Sequence, residues 1–198
     1  MAPLTMQTFV MCLAALVLMP RQTAVVLVGY TVLGSIGLPV FAGGVVVNHY
    51  AELSDTVKLC AMYDTLLAAV KIAEEYRIRM NLEALNIKLD HVGNFLRTTQ
   101  MAAEITRLIG SPWLKVLFDA YHMQYNEGAL SYQIETYFDQ IGHIHIADCP
   151  GRHEPGTGEI NYSSIYRLLE RLGYEYRVGY ELFPAVDTKT AVAAIMKN

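Results

Sequence analysis

From Asn48 to the C-terminus, short apolar segments of strand character alternate with longer segments of helical periodicity, one pair about every 30–35 residues. That rhythm restricts the fold, because strands separated by helices return in parallel and a parallel sheet needs helices over its faces. Ser54 or Asp55 caps a first helix, whose apolar stripe of Val57, Leu59, Met62, Leu66, Leu67, Val70 and Ile72 ends near Tyr76. The pattern then predicts a strand over 77–85, a helix over 94–109 stopped by Gly110, and a strand over 114–118. A helix over 131–140, a strand over 143–147 and a helix over 163–172 closed by Gly173 follow. The last pair is a strand over 177–182 and a helix over 188–196. The expected fold class is α/β, a parallel sheet with helices outside.

The first 48 residues differ in kind, for their one charge is Arg21. The run from Thr23 to Val47 is long enough to cross a bilayer. Gly29, Gly34, Gly37, Gly43, Gly44 and Pro39 interrupt it, and its dense β-branched residues favour buried strands over an anchor spanning residues 8–47. Met1 to Gln7 carry no Lys or Arg, so a signal peptide is not indicated. Charged residues make up only 17% of the 198 and apolar ones 53%, which excludes disorder as the main state. The net charge of −4 and the absence of a Lys/Arg cluster exclude a nucleic-acid partner. Cys12, Cys60 and Cys149 are odd in number and have no metal spacing, which points to a reducing compartment, the cytoplasm.

Each predicted strand closes on an acidic residue, an imidazole or both. Glu83 ends the first and Asp119 the second, with His122 and Gln124 just beyond; His145 and Asp148 belong to the third and Glu181 to the fourth. In a parallel β/α barrel the C-terminal strand ends open onto one face, so residues far apart in sequence converge there. Two Glu, one Asp and one His make an O₃N donor set suited to a hard divalent cation. Taken singly, each reads as a cap or a structural histidine; the placement of four at four strand ends gives the set its meaning. Residues 148–161 hold two prolines and three glycines directly after a strand, which predicts a shaped βα loop. Arg152 and His153 in that loop are of the type that holds a carboxylate or phosphate.

The block from His143 to Asp148, running on through Pro150-Gly151-Arg152-His153-Glu154-Pro155-Gly156-Thr157-Gly158-Glu159-Ile160-Asn161-Tyr162, resembles the hydroxypyruvate isomerase-like branch of the xylose isomerase-like TIM-barrel superfamily. Leu82-Glu83-Ala84-Leu85-Asn86, Asp90-His91, Gly110-Ser111-Pro112, the run from Phe118 to Gln124, and Gly179-Tyr180-Glu181 fit the same pattern. The resemblance covers residues 50–198 well and extends faintly to 33–44. It departs in having Ala84 where a proline is common, and in Val92 and Asn94.

The resemblance implies a metal-dependent aldose–ketose type isomerase acting on a short hydroxy-keto acid or sugar, as in the interconversion of hydroxypyruvate and tartronate semialdehyde. It implies Glu83, Asp119, His145 and Glu181 as ligands of one divalent metal ion, Mn²⁺ or Mg²⁺. It implies Glu83 and Glu181 as the catalytic carboxylates, moving a proton between neighbouring carbons through an enediolate, with His122, Arg152 and His91 binding substrate. A homo-oligomer is a further expectation. A complete barrel takes about 250 residues, and Glu83 would close its fourth strand although only 82 residues precede it. The expected architecture is therefore an incomplete TIM barrel over 31–198, lacking or replacing the first two or so strand–helix units, preceded by an apolar segment over 1–30. Ketose 3-epimerases and inosose dehydratase-like enzymes share this architecture and stand as alternatives. So does a catalytically inactive shortened barrel associated with a membrane through residues 8–47. An endonuclease IV-like enzyme would need more metal-binding histidines and a basic groove.

Overall fold

The computed structural model describes residues 54–196. They belong to one of two compact units, the one spanning Leu53–Asn198. The expectations for residues 1–30, for an anchor over 8–47 and for a strand within 33–44 lie outside the described residues. Among the described residues, no helix is long and apolar enough to cross a membrane.

The elements are α1 (Asp55–Tyr76), β1 (Met80–Glu83), α2 (Thr99–Ile109), β2 (Leu114–Asp119), α3 (Ala120–Asn126), α4 (Leu130–Tyr137), β3 (Ile141–Ile146), α5 (Tyr162–Leu172), β4 (Val178–Tyr180) and α6 (Thr188–Ile195), with a 3₁₀ turn at Phe138–Gln140. The four strands pair in parallel in the order β1-β2-β3-β4. Among the described residues this is half of the eight strands of a complete barrel. The expected α/β barrel architecture, incomplete among the described residues, is what is found.

Helix ends follow their local chemistry. Ser54 accepts from the Val57 amide to open α1, Thr98 from Met101 to open α2, and Asn161 from Ser164 to open α5. Gly110 and Gly173 close α2 and α5 in the left-handed conformation, as their positions predict. Some boundaries differ from those the sequence predicts. Strand β1 is shorter than 77–85, and α2 starts at Thr99 rather than at 94 because the preceding residues form a loop. That loop is held by Asn126, which donates to the Leu85 and Arg97 carbonyls and accepts from the Ile87 amide. Helix α3 is unanticipated, since Ala120–Asn126 carries no apolar stripe; its N-terminus is capped by Asp119. The stripe read into α1 also fails in part: Val70 and Ala73 are buried, but Val57, Leu59 and Ile72 are exposed.

The outer face of the sheet is the core. Val116 and Phe118 of β2 and Ile144 and Ile146 of β3 are almost wholly buried together with Ala102 and Ala103 of α2, Ile134 of α4, and Ile165, Leu168 and Leu169 of α5. The inner face carries the polar set, and one irregularity puts it there. Val116 pairs with Ile141, yet the next residue, Leu117, pairs with His143, so Gly142 is passed over. An extra residue in one strand reverses the alternation beyond it. Without it His143 and His145 would point outward; with it they share the inner face with Leu117 and Asp119.

Candidate metal centre

Four strand ends converge. Glu83 is the last residue of β1, Asp119 the last of β2, His145 the penultimate of β3, and Glu181 the first after β4. Asp119 is in register with His145, and His145 with Gly179, so these lie in one row across three strands. One ligand atom from each of the four residues lies within 4.8 Å of every other. The sheet must curl for this to happen, since β1 and β4 are its outer strands among the described residues. The same curl appears at the opposite end, where the Arg79 guanidinium, before β1, stacks 4.5 Å from the ring of Tyr176, before β4. Gly179 is required here: a Cβ at this position would lie 2.9 Å from His145 Cδ2 and 3.0 Å from His143 Nε2.

Asp119 divides its carboxylate between two tasks. Its Oδ1 accepts from the Tyr121 and His122 amides, at 2.8 and 3.2 Å, and so caps α3. Its Oδ2 has no hydrogen-bond partner, and Glu83 Oε1 and His145 Nδ1 share that condition. Buried polar atoms are rarely left unpaired. Three that are, all aimed at one point and joined there by Glu181, form a donor set that fits a divalent cation.

The electrostatics agree with this fit. Burial, reinforced by the neighbouring Asp119 and Glu181 carboxylates, pushes Glu83 up to about 7. Burial raises Asp119 as well. Contact with His145, at 3.3 Å, and then Arg152 hold Glu181 down at about 2, and Glu181 in turn raises His145. Three carboxylates crowded in a low-dielectric pocket repel one another, and a bound cation relieves that repulsion.

Arg152 and His122 border the centre. Arg152 Nη2 lies 2.6 Å from Glu181 Oε2 and 3.8 Å from Asp119 Oδ2, with its guanidinium 5.1 Å from the Tyr121 ring centre. The carboxylate that Arg152 holds is thus the protein's own. His122 is buried, with Nε2 3.8 Å from both Glu83 Oε1 and Asp119 Oδ2, and burial pushes it down to about 4. His91 stands outside the ligand set, edge-on to His122 with ring centres 5.3 Å apart. Gln124 bonds Glu159 instead.

The loop after β3 locks Glu181 in place. Phe183 N donates to Arg152 O, His153 Nδ1 to Phe183 O, and Ala185 N to Glu154 Oε2. His153 therefore holds a backbone carbonyl, not an external anion. Arg152 takes the left-handed conformation, φ 57°, which costs a side-chain-bearing residue about 1–2 kcal/mol. Its amide donates to Asp148 O, and Asp148 is the hub of the loop. Wholly buried, its carboxylate accepts from the amides of Cys149, Gly156 and Ile160. A Cβ on Gly158 would lie 2.3 Å from Cys149 O, so the loop closes only with glycine there. Asp148→Ala strands three amide donors and is expected to destabilise the fold by about 3–5 kcal/mol. Urea unfolding measures it, and a loss under 1 kcal/mol would contradict this role for Asp148.

The sequence reading named Glu83, Asp119, His122, His145, Arg152 and Glu181, and the fold brings all six together. It missed Asn86, Asn126 and Glu154 as supporting residues; Asn86 and Glu154 are buried polar side chains, and burial is not visible in a single sequence.

Comparison with known proteins places this geometry in a family. The family model for the xylose isomerase-like TIM barrel matches residues 31–198. Residues 1–51 match the BioY family model. The hydroxypyruvate isomerase of Escherichia coli K12 is 35% identical over 131 residues, covering 66% of this chain and 50% of that protein. The 2-oxo-tetronate isomerase of Cupriavidus necator is 32% identical over 168 residues, covering 80% and 64%. Among solved structures, an AP endonuclease family 2 protein from Brucella melitensis superposes with a TM-score of 0.70 at 28% identity, covering 74% of this chain and 56% of the other. The chain spans about half the length of the curated relatives it matches. With the family model covering most of its length, the chain belongs to the xylose isomerase-like TIM barrel family.

Proposed function

We propose that this protein is an isomerase of short hydroxy-keto acids or sugars, of the hydroxypyruvate/tartronate semialdehyde type. The observation that carries the reading is the convergence of Glu83, Asp119, His145 and Glu181 from four strands, with three buried donor atoms unpaired. The similarity to hydroxypyruvate and 2-oxo-tetronate isomerases supports the substrate class. These four residues would hold one divalent ion, Mn²⁺ or Mg²⁺. When bound, the ion supplies Lewis-acid stabilisation of the negative charge that develops on substrate oxygens.

The chain's own groups handle the protons. In hydroxypyruvate a C3–H bond breaks, a C2–H bond forms, and a hydroxyl proton passes from one oxygen to the other, with no outside oxidant or reductant. Glu83 and Glu181 reach the centre from opposite edges of the curled sheet, so a substrate between them has a carboxylate on each side to remove and return the proton. His122 lines the same space and binds a substrate oxygen, and Arg152, with Nη2 held on Glu181 Oε2, offers its remaining N–H groups to the polar or anionic oxygens. His91, edge-on to His122, is the third group proposed to bind substrate.

The test is incubation of the purified chain with hydroxypyruvate in deuterated water, with Mn²⁺ or Mg²⁺, followed by NMR. Tartronate semialdehyde carrying deuterium at C2 is expected, with activity lost to EDTA and restored by metal. Epimerised ketose and no hydroxypyruvate turnover would select the 3-epimerase reading; no turnover of either class with metal bound would refute the isomerase.

A further inference from the structure

Asn86 is wholly buried and is neither a metal ligand nor a proton-transferring group. Its amide orientation is fixed by its neighbours. The Oδ1 atom accepts from the Leu89 and Asp90 amides, at 3.1 and 2.9 Å. A flipped side chain would set its NH₂ against two backbone donors, so Nδ2 must occupy the other position. From there Nδ2 donates one hydrogen to Asp90 Oδ2 at 2.9 Å and directs the other at His122 Nδ1, 2.8 Å away. All four hydrogen-bonding positions of the amide are then used.

The consequence falls on His122. An amide NH₂ cannot accept a hydrogen bond, so Nδ1 must be the ring nitrogen that carries the lone pair. The ring proton then sits on Nε2, the atom 3.8 Å from both Glu83 Oε1 and Asp119 Oδ2. A protonated Nε2 has no lone pair for a metal. It can only donate.

We infer that Asn86 is a positioning residue that holds His122 as the Nε2–H tautomer, so that the ring presents a hydrogen-bond donor, and not a fifth metal ligand, to an oxygen of the bound substrate. The substrate part of this statement rests on the isomerase reading; the tautomer does not. It explains how an imidazole beside two ligand carboxylates stays out of the ligand set. Asn86 thereby keeps His122 out of the ligand set and places a substrate donor.

The experiment is ¹⁵N NMR of the imidazole rings in the metal-free full chain, with His122 assigned by its loss in His122→Gln. The expected spectrum has hydrogen on Nε2 and none on Nδ1. Hydrogen on Nδ1 would overturn the assignment whatever the enzyme does. Asn86→Asp retains the Oδ1 acceptor but turns the other atom into an acceptor, so His122 should gain hydrogen on Nδ1 and kcat/KM should fall about 10–100-fold with metal still bound. An unchanged His122 spectrum in that variant would also overturn the assignment. If Asn86→Asp does not fold, the wild-type spectrum decides alone. Nε2–H in a chain that turns over no substrate would leave Asn86 as assigned and refute the isomerase.

Discussion

Glu83→Gln is expected to make the metal-free protein more stable at pH 8 by about 3 kcal/mol. Burial and two neighbouring carboxylates raise Glu83 from 4.5 to about 7, so the folded state resists ionising a group that the unfolded chain ionises freely. Between pH 4.5 and 7 the folded state therefore binds more protons than the unfolded, and stability falls as pH rises through that window. Above pH 7 the full cost is present; near pH 4 it is gone. The neutral amide in Glu83→Gln never incurs it. Glu181 has the opposite sign: its carboxyl is held at about 2, so its contribution is present above pH 4.5 and is lost as pH falls toward 2. Urea unfolding of both proteins from pH 4 to 8, with EDTA present, measures the difference. Metal should reverse the order, since it binds the wild-type carboxylate more tightly than the neutral amide and so stabilises the wild type more. Equal stabilities at pH 8 would mean that Glu83 does not sit in a repulsive cluster.

Glu181→Gln should lower kcat about 10²–10⁴-fold, the range for losing a group that transfers a proton. The amide keeps an oxygen for Arg152, which lies 2.6 Å from Glu181 Oε2, so the loop that carries Arg152 stays anchored. It also keeps a donor for the cation, as amide oxygens are competent ligands. The readout is single-turnover deuterium incorporation with hydroxypyruvate, made alongside metal analysis of the same sample. Slow exchange with metal retained assigns the loss to proton transfer. Unchanged turnover would remove Glu181 from the chemistry and leave it a ligand only.

Much of this site was legible in the sequence, and the reason is topological. Parallel strands present their C-terminal ends to one face, so placing Glu83, Asp119, His145 and Glu181 at strand ends sufficed to predict that they meet. The parallel sheet and the caps at Ser54, Gly110 and Gly173 followed from equally local signals. What stayed hidden depends on burial or on register. The passed-over residue at Gly142 decides which face His145 occupies, yet alternation in Ile141-Gly142-His143-Ile144-His145-Ile146 reads the same with or without it. The short helix α3 is formed by its Asp119 cap and its packing, not by periodicity. Arg152 and His153 looked like equal anion binders; the fold assigns the first to Glu181 and the second to the Phe183 carbonyl. Asn86 gave no signal beyond its presence in the family-like block, because its importance lies in four hydrogen bonds to residues three to 36 positions away.

The central claim is that four strand ends build one cation site in this chain, and calorimetric titration of Mn²⁺ into the metal-free protein tests it most directly when set against Asp119→Asn. Asparagine can keep the oxygen that caps α3 while replacing the unpaired Oδ2, so the fold is retained and only the donor is lost. The account predicts one Mn²⁺ per wild-type chain and no saturable binding in Asp119→Asn. Equal binding by the two proteins, or none by either, would contradict it.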